Sequence, residues 1–229
     1  MAPRPTTTST AIECRGVSVE YRTPSGAATA LDSVDATFEH GRLTVIAGPS
    51  GSGKSTLLRV LGALQRPSAG TVLLDGRDVT RLRAGARRRL RRAALGIVLQ
   101  APADNLLEHL SALEQVELTA RLRGAPRAEA RRLLATVGLE DRGGCSPAEL
   151  SGGEQQRVAF AAAAIGSPRV LLADEPTAQL DSHAGQHLLR SLGELVRAGS
   201  TVVIASHDPD AVEVADAVLW LRDGQRVAA

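Results

Sequence analysis

An α/β domain built on a mostly parallel sheet is the fold this chain predicts, with an antiparallel β subdomain at its front and a helical subdomain inserted into it. Three observations lead there. Short apolar runs at 44–47, 97–99, 170–173 and 201–205 each stop abruptly at a polar residue, as buried parallel strands do. Segments with helical spacing lie between them, at 56–64, 110–122, 128–137 and 183–196, and Gly138 and Gly199 end two of these. The leading segment, 12–21, instead alternates apolar and polar residues like a half-solvated antiparallel strand, with 34–38 and 71–74 as its expected partners.

The chain has 229 residues, room for one large domain over 11–229 and not for two. Residues 1–10, rich in Pro, Thr and Ser, predict a mobile tail rather than a secretory signal, and the expected location is therefore cytoplasmic. The longest apolar run, 158–165, is far short of the roughly 20 residues a membrane helix needs. Cys14 and Cys145 lack the paired spacing of a zinc site and read as reduced thiols. Segment 101–149 has helical periodicity without strong strand signals and is the expected helical insertion.

In a parallel sheet, ligands sit beyond the carboxyl ends of the strands. The residues that follow the apolar runs are Gly48, Gln100, Asp174 with Glu175, and Ser206 with His207, so these are expected to share one crevice. Gly48-Pro-Ser-Gly-Ser-Gly-Lys-Ser55 fits the phosphate-loop pattern G-x-x-x-x-G-K-[ST] between a strand and a helix, and it specifies a P-loop NTPase core. Gly48, Pro49, Ser50, Gly51, Ser52, Gly53, Lys54, Ser55 and Thr56 are the expected cradle for ATP. Glycines let backbone N–H groups turn toward the phosphates, and the helix dipole adds positive charge. Lys54 is expected to neutralise the β and γ phosphates, and Ser55 to bind Mg²⁺. Of the 27 basic side chains only Lys54 is a lysine, which marks a place where a compact ammonium is needed and a planar guanidinium does not serve.

The run 170–175 is an apolar strand ending in two adjacent carboxylates, an expensive arrangement unless a cation or a reaction uses them. Successive residues of an extended segment face opposite ways, so Asp174 is expected in the Mg²⁺ shell and Glu175 beside the attacking water.

With Leu150-Ser-Gly-Gly-Glu-Gln-Gln-Arg157 added, the sequence resembles the nucleotide-binding subunit of ABC transporters from about residue 12 to residue 227. The resemblance implies that Tyr21 stacks on adenine, although a lone strand Tyr also serves as packing. It implies that Gln100 touches Mg²⁺ and senses a membrane partner, that His207 contacts the γ phosphate, and that Asp181 communicates across a dimer. His207 has an alternative reading, as a cap for the helix that Asp208-Pro209 opens. Ser151 and Glu154 form a capping box by spacing, and with Gly152 and Gly153 they resemble the signature that closes over ATP held by a second subunit. The implied assembly is a homodimer carried by an integral membrane permease at the inner face of the membrane.

The phosphate loop, the following Leu61-Gly-Ala-Leu64 and the segment 105–114 are similar to the lipoprotein-release and macrolide-export group. That group includes ATP-driven regulators of cell-wall remodelling, which is the alternative function. Departures from the pattern are the longer segment 101–104, Gln115 where Asn is usual, Ala162 where Arg is common, and Ala178-Gln179 before Leu180-Asp181. A DNA-repair or chromosome-organising ATPase is disfavoured, since neither heptad runs nor a cysteine cluster is present. Net charge +2 and 2% aromatic residues argue against a nucleic-acid partner. The basic run 81–92 reads either as a solvated helix face or as a contact for anionic headgroups or a permease loop.

Overall fold

The computed structural model describes residues 10–24 and 26–227, so the expected tail lies outside the described residues except for Thr10. Thr10 is not part of a tail but the first residue of strand β1 (Thr10–Thr23), where it pairs with Glu39. Strand β1 lies in a four-stranded antiparallel sheet between β2 (Gly26–Glu39) and β4 (Ala69–Leu74), with β5 (Arg77–Asp78) at the edge. The alternation read at 12–21 is interrupted by register shifts between Cys14 and Val17 and again up to Glu20, which bend the strand while keeping Ile12, Cys14, Val17 and Val19 inward.

The second sheet has six strands in the order β10-β9-β3-β8-β7-β6, with β3 (Leu43–Ala47), β6 (Leu95–Val98), β7 (Val170–Asp174), β8 (Thr201–Ala205), β9 (Ala217–Arg222) and β10 (Gln225–Val227). All neighbours in it are parallel except β9 and β10. Every residue of β3, β7 and β8 is buried, which explains why these strands read as continuous apolar runs. Alternate residues serve two cores. Ile46, Leu172 and Val203 face α1 (Lys54–Leu61) and the antiparallel sheet. Val45, Leu171, Val202 and Ile204 face α5 (Gly152–Ala164) and α6 (Ser182–Arg197).

Segment 101–149 contains only helical elements: α3 (Ala112–Arg123), α4 (Arg127–Thr136) and three short 3-10 turns. Helix α2 (Ala84–Ala94) precedes β6, and α7 (Pro209–Glu213) follows β8. Arg123, at the end of α3, ties this layer to the sheet. Its guanidinium donates to the carbonyls of Leu95, Ala163 and Ile165 at 2.6, 2.8 and 2.7 Å, and burial pulls its pKa down.

Arg123→Ala leaves three carbonyls without that donor and is expected to cost about 2–4 kcal/mol, a fall of very roughly 4–16 °C in thermal midpoint. Arg123→Lys, with no planar fork, should recover little of it. A midpoint within 2 °C of the parent in Arg123→Ala, by calorimetry, contradicts this anchoring role.

Candidate functional site

The carboxyl ends of β3, β8, β7 and β6 open into one cleft of about 450 Å³, a volume suited to a small ligand. Pro49, Ser50, Gly51, Gly53, Lys54, Ser55, Thr56, Gln100, Glu175 and His207 line it; of the strand-end residues expected to share one crevice, Gln100, Glu175 and His207 do so, whereas Gly48, Asp174 and Ser206 are not among the lining residues.

The phosphate loop is held from behind. At Gly48, where φ is +148°, an added Cβ would collide with the Leu221 carbonyl oxygen of β9, so the loop can leave β3 only without a side chain. The turn between β9 and β10 closes on the same loop, with the Gly224 N–H donating to Ser52 O at 3.1 Å. Neither β9 nor this turn has a signal in the sequence reading. Ser52 is buried with no partner for its hydroxyl among the described residues. Lys54, only 7% exposed, donates to Gly48 O at 2.8 Å and Pro49 O at 3.0 Å. Two of its three protons thus brace the loop, and the third remains for the cleft. The first helical hydrogen bond of α1 runs from Leu57 N–H to Gly53 O at 2.9 Å, so the N–H groups of Lys54, Ser55 and Thr56 have no intrahelical acceptor. These are donors arrayed for an anion.

Facing the loop, the Ser55 hydroxyl donates to Asp174 Oδ1 at 3.0 Å. Burial raises the Asp174 pKa above the ordinary range, against the lowering by the Ser55 hydroxyl and with a further rise from the charge of Glu175. Asp174 and Glu175 do diverge, but not for the reason the sequence suggested. Strand β7 ends at Asp174, and Glu175 turns into the left-handed region at φ 47°, with its N–H still bonded to Ala205 O at 2.9 Å. This turn delivers its carboxylate 2.9 Å from His207 Nδ1 and 4.0 Å from Lys54 Nζ. His207 does not cap the following helix. Asp208 does, accepting from Asp210 N–H at 3.0 Å.

A hydroxyl, a buried carboxylate and the exposed Gln100 side chain make an oxygen-rich donor set that fits Mg²⁺ completed by phosphate oxygens and water. Among the described residues no three His, Cys, Asp or Glu side chains form a metal cluster of their own.

Tyr21 is 37% exposed rather than buried in a core, and its hydroxyl meets Gln65 Oε1 at 2.9 Å and the cleft residue Thr56 at 3.4 Å, although Tyr21 is not itself among the residues that line the cleft. Asn105 holds the backbone on either side of Gln100, and Gln115 braces the loop beyond it, structural roles the sequence did not assign to them. Asn105 grips Leu99 N–H and O at 2.7 and 2.9 Å, and buried Gln115 donates to the carbonyls of Leu107 and Leu110 at 2.6 and 3.1 Å. Both are side chains closing onto backbone a few residues away, legible only when the loop's path is known.

The capping box is present. Ser151 N–H donates to Glu154 Oε2 at 2.8 Å, Glu154 N–H to Ser151 Oγ at 3.3 Å, and Arg142 holds Glu154 Oε1 at 3.1 Å. Ser151, Gly152, Gly153 and Glu154 do not line the cleft of their own chain. Local packing constrains these glycines only mildly: a Cβ at Gly152 would meet the movable end of the Gln179 side chain at 2.5 Å, and one at Gly153 would stand 3.1 Å from Gln179 O. Asp181, also outside the cleft, caps α6 by accepting from Ala184 N–H at 2.8 Å.

The ABC transporter family pattern matches residues 31–178. The chain is 45% identical over 221 residues to the macrolide export ATP-binding/permease protein MacB 1/2 of Paracoccus denitrificans, covering 95% of this chain and 33% of that protein. It is 39% identical to the uncharacterized ABC transporter ATP-binding protein YvrO of Bacillus subtilis, over 92% and 93% of the two chains. The chain thus spans about a third of the length of the macrolide-export relatives it matches. Among solved structures, the dimeric post-hydrolysis state of the ATP-binding cassette MJ0796 bound to ADP and Pi superposes with a TM-score of 0.90 at 35% identity, over 95% and 97% of the chains.

Gly48→Ala forces the Leu221 carbonyl or the loop to move and is expected to destabilise by about 2 kcal/mol or more, measured by denaturant unfolding. An unchanged unfolding midpoint would mean that the loop has slack that this packing denies.

Proposed function

Since the chain belongs to the ABC transporter ATP-binding family, we propose that it is the ATP-hydrolysing, energy-coupling subunit of a transporter, acting as a dimer with an integral membrane permease. The convergence of Lys54, Ser55, Asp174, Glu175 and His207 on one crevice at the strand ends carries this reading. In it, the loop amides and the free proton of Lys54 bind the phosphates of ATP. Ser55, Asp174 and Gln100 hold Mg²⁺, which when bound neutralises charge developing on the transferred phosphoryl group. Glu175 orients the attacking water and takes its proton, and His207 Nδ1, 2.9 Å from Glu175 Oε1, holds the carboxylate in place. Tyr21 offers its ring to the adenine.

Ser151, Gly152, Gly153 and Glu154 then serve the partner's nucleotide, with Asp181 beside the boundary between subunits. Their absence from their own chain's cleft supports two composite sites per dimer, as does the dimeric structure of a relative. In this reading the two nucleotide-binding subunits are identical and the permease is a separate chain, so the protein sits peripherally on the inner face of the membrane. Similarity to macrolide-export proteins favours transport over a wall-remodelling signal. No helix among the described residues is long and apolar enough to cross a membrane.

Glu175→Gln should keep nucleotide affinity while slowing turnover about 100-fold or more, and should trap an ATP-dependent dimer on size-exclusion chromatography. Lys54→Ala should instead weaken ATP binding at least about tenfold in a fluorescence titration. Wild-type protein hydrolysing ATP at full rate as a monomer at every concentration is the result that defeats the composite site.

A further inference from the structure

We propose that the outer face of α2 and its approach form a docking surface for anionic lipid headgroups, so that the protein touches the bilayer directly and not only through a permease. Segment 81–92 carries seven arginines and no acid, and the remainder of a chain of net charge +2 is therefore net acidic. The helix sorts these arginines. Arg91 turns inward, donates to Ala63 O at 2.8 Å, and has its pKa lowered by burial and by the neighbouring charges of Arg87 and Arg88. Arg88, Arg89 and Arg92 lie outward on one face, at the i, i+1 and i+4 positions. Exposed Arg81 and Arg83 continue the face, and exposed Arg66 joins it through a bond from its guanidinium to Leu82 O at 2.8 Å.

Among the described residues none of these arginines is paired with a carboxylate within 4.0 Å. Exposed Asp78 has a lowered pKa that owes most to Thr80 and least to Arg81, and Asp104, which lines the same groove as Arg91 and Arg92, forms no ion pair with them. A face of unpaired like charges repels itself, and an opposite charged surface relieves that repulsion. Apolar side chains flank it: Leu64 and Leu122, 38% and 52% exposed, share a groove with Arg91 and Arg92. Guanidinium groups with leucines beside them suit the headgroup boundary of a bilayer. The chain's aromatic residues, Tyr21, Phe38, Phe160 and Trp220, do not line that groove, so it lacks the stacking platforms that single-stranded nucleic acid uses.

The test is sedimentation of the full chain with vesicles of phosphatidylcholine containing 30% phosphatidylglycerol, against pure phosphatidylcholine, at low and high salt. The proposal expects binding to the anionic vesicles only, lost at high salt, and at least about tenfold weaker in Arg88→Gln/Arg89→Gln/Arg92→Gln. Arg131→Gln/Arg132→Gln/Arg190→Gln removes the same charge from other exposed positions and should change binding less than about twofold. Unchanged ATP affinity in both triple variants shows that the fold and the nucleotide site are intact, which keeps this outcome separate from the ATPase reading. Equal loss in both variants, equal binding to both vesicles, or tight binding of an acidic peptide or an RNA oligonucleotide in place of anionic vesicles overturns it.

Discussion

A buried ammonium organises the business end of this molecule. Lys54 spends two of its protons on carbonyls of its own loop, Gly48 and Pro49, and so closes the loop into a ring around its nitrogen. An ammonium with 7% exposure is tolerable only when its donors are satisfied and an anion stands near. Among the described residues the only carboxylate paired with it is Glu175, at 4.0 Å, too long for a strong bond. The arrangement leaves an incompletely compensated positive centre facing a cleft, with helix N–H groups beside it. Such a centre favours an incoming polyanion without reorganising to receive it. Arginine, with its wide planar fork, does not fit inside a ring closed by Gly48 and Pro49, which accounts for the sole lysine in a chain otherwise committed to arginine.

The sheet transmits this rigidity to the groups opposite. Beyond the last regular pairs, Glu175 N–H still bonds Ala205 O and Ser206 N–H bonds Ile46 O, so the ends of β7, β8 and β3 are locked in mutual register. The turn at Glu175 is left-handed, a conformation a non-glycine residue keeps only where its surroundings over-determine it. Here the backbone bond to β8 and the side-chain contact with His207 do so. A few residues on, Thr177 bonds Asp208, and Gln179 packs against Gly152 at the start of α5. The acidic pair and the capped helix are therefore in physical contact through one short segment.

Arginine has three distinct uses elsewhere in the molecule. Arg123 is buried and fastens helices to strands through three carbonyls. Arg142 joins the acidic member of the capping box to Glu149 O. The arginines of α2 stay largely unpaired. Five donors in a fixed plane suit the first two tasks, while long solvated stems suit the third.

Chemistry confined to contiguous residues was legible without coordinates. The phosphate loop, the apolar strand ending in Asp174 and Glu175, the spacing of Ser151 and Glu154, and the strand periodicity each depend on neighbours a few positions apart, and backbone sterics and side-chain period determine such features locally. What the chain order does not encode is which distant backbone comes close. That the Leu221 carbonyl forbids a side chain at Gly48, that the turn after β9 props Ser52, and that Asn105 and Gln115 shape the path around Gln100 were decided only by packing. The divergence of the two carboxylates likewise came from a left-handed turn held by β8, not from strand alternation. Local rules choose the groups and their spacing; close approach and unsatisfied backbone choose where they stand, because those costs exist only once remote segments share the same space.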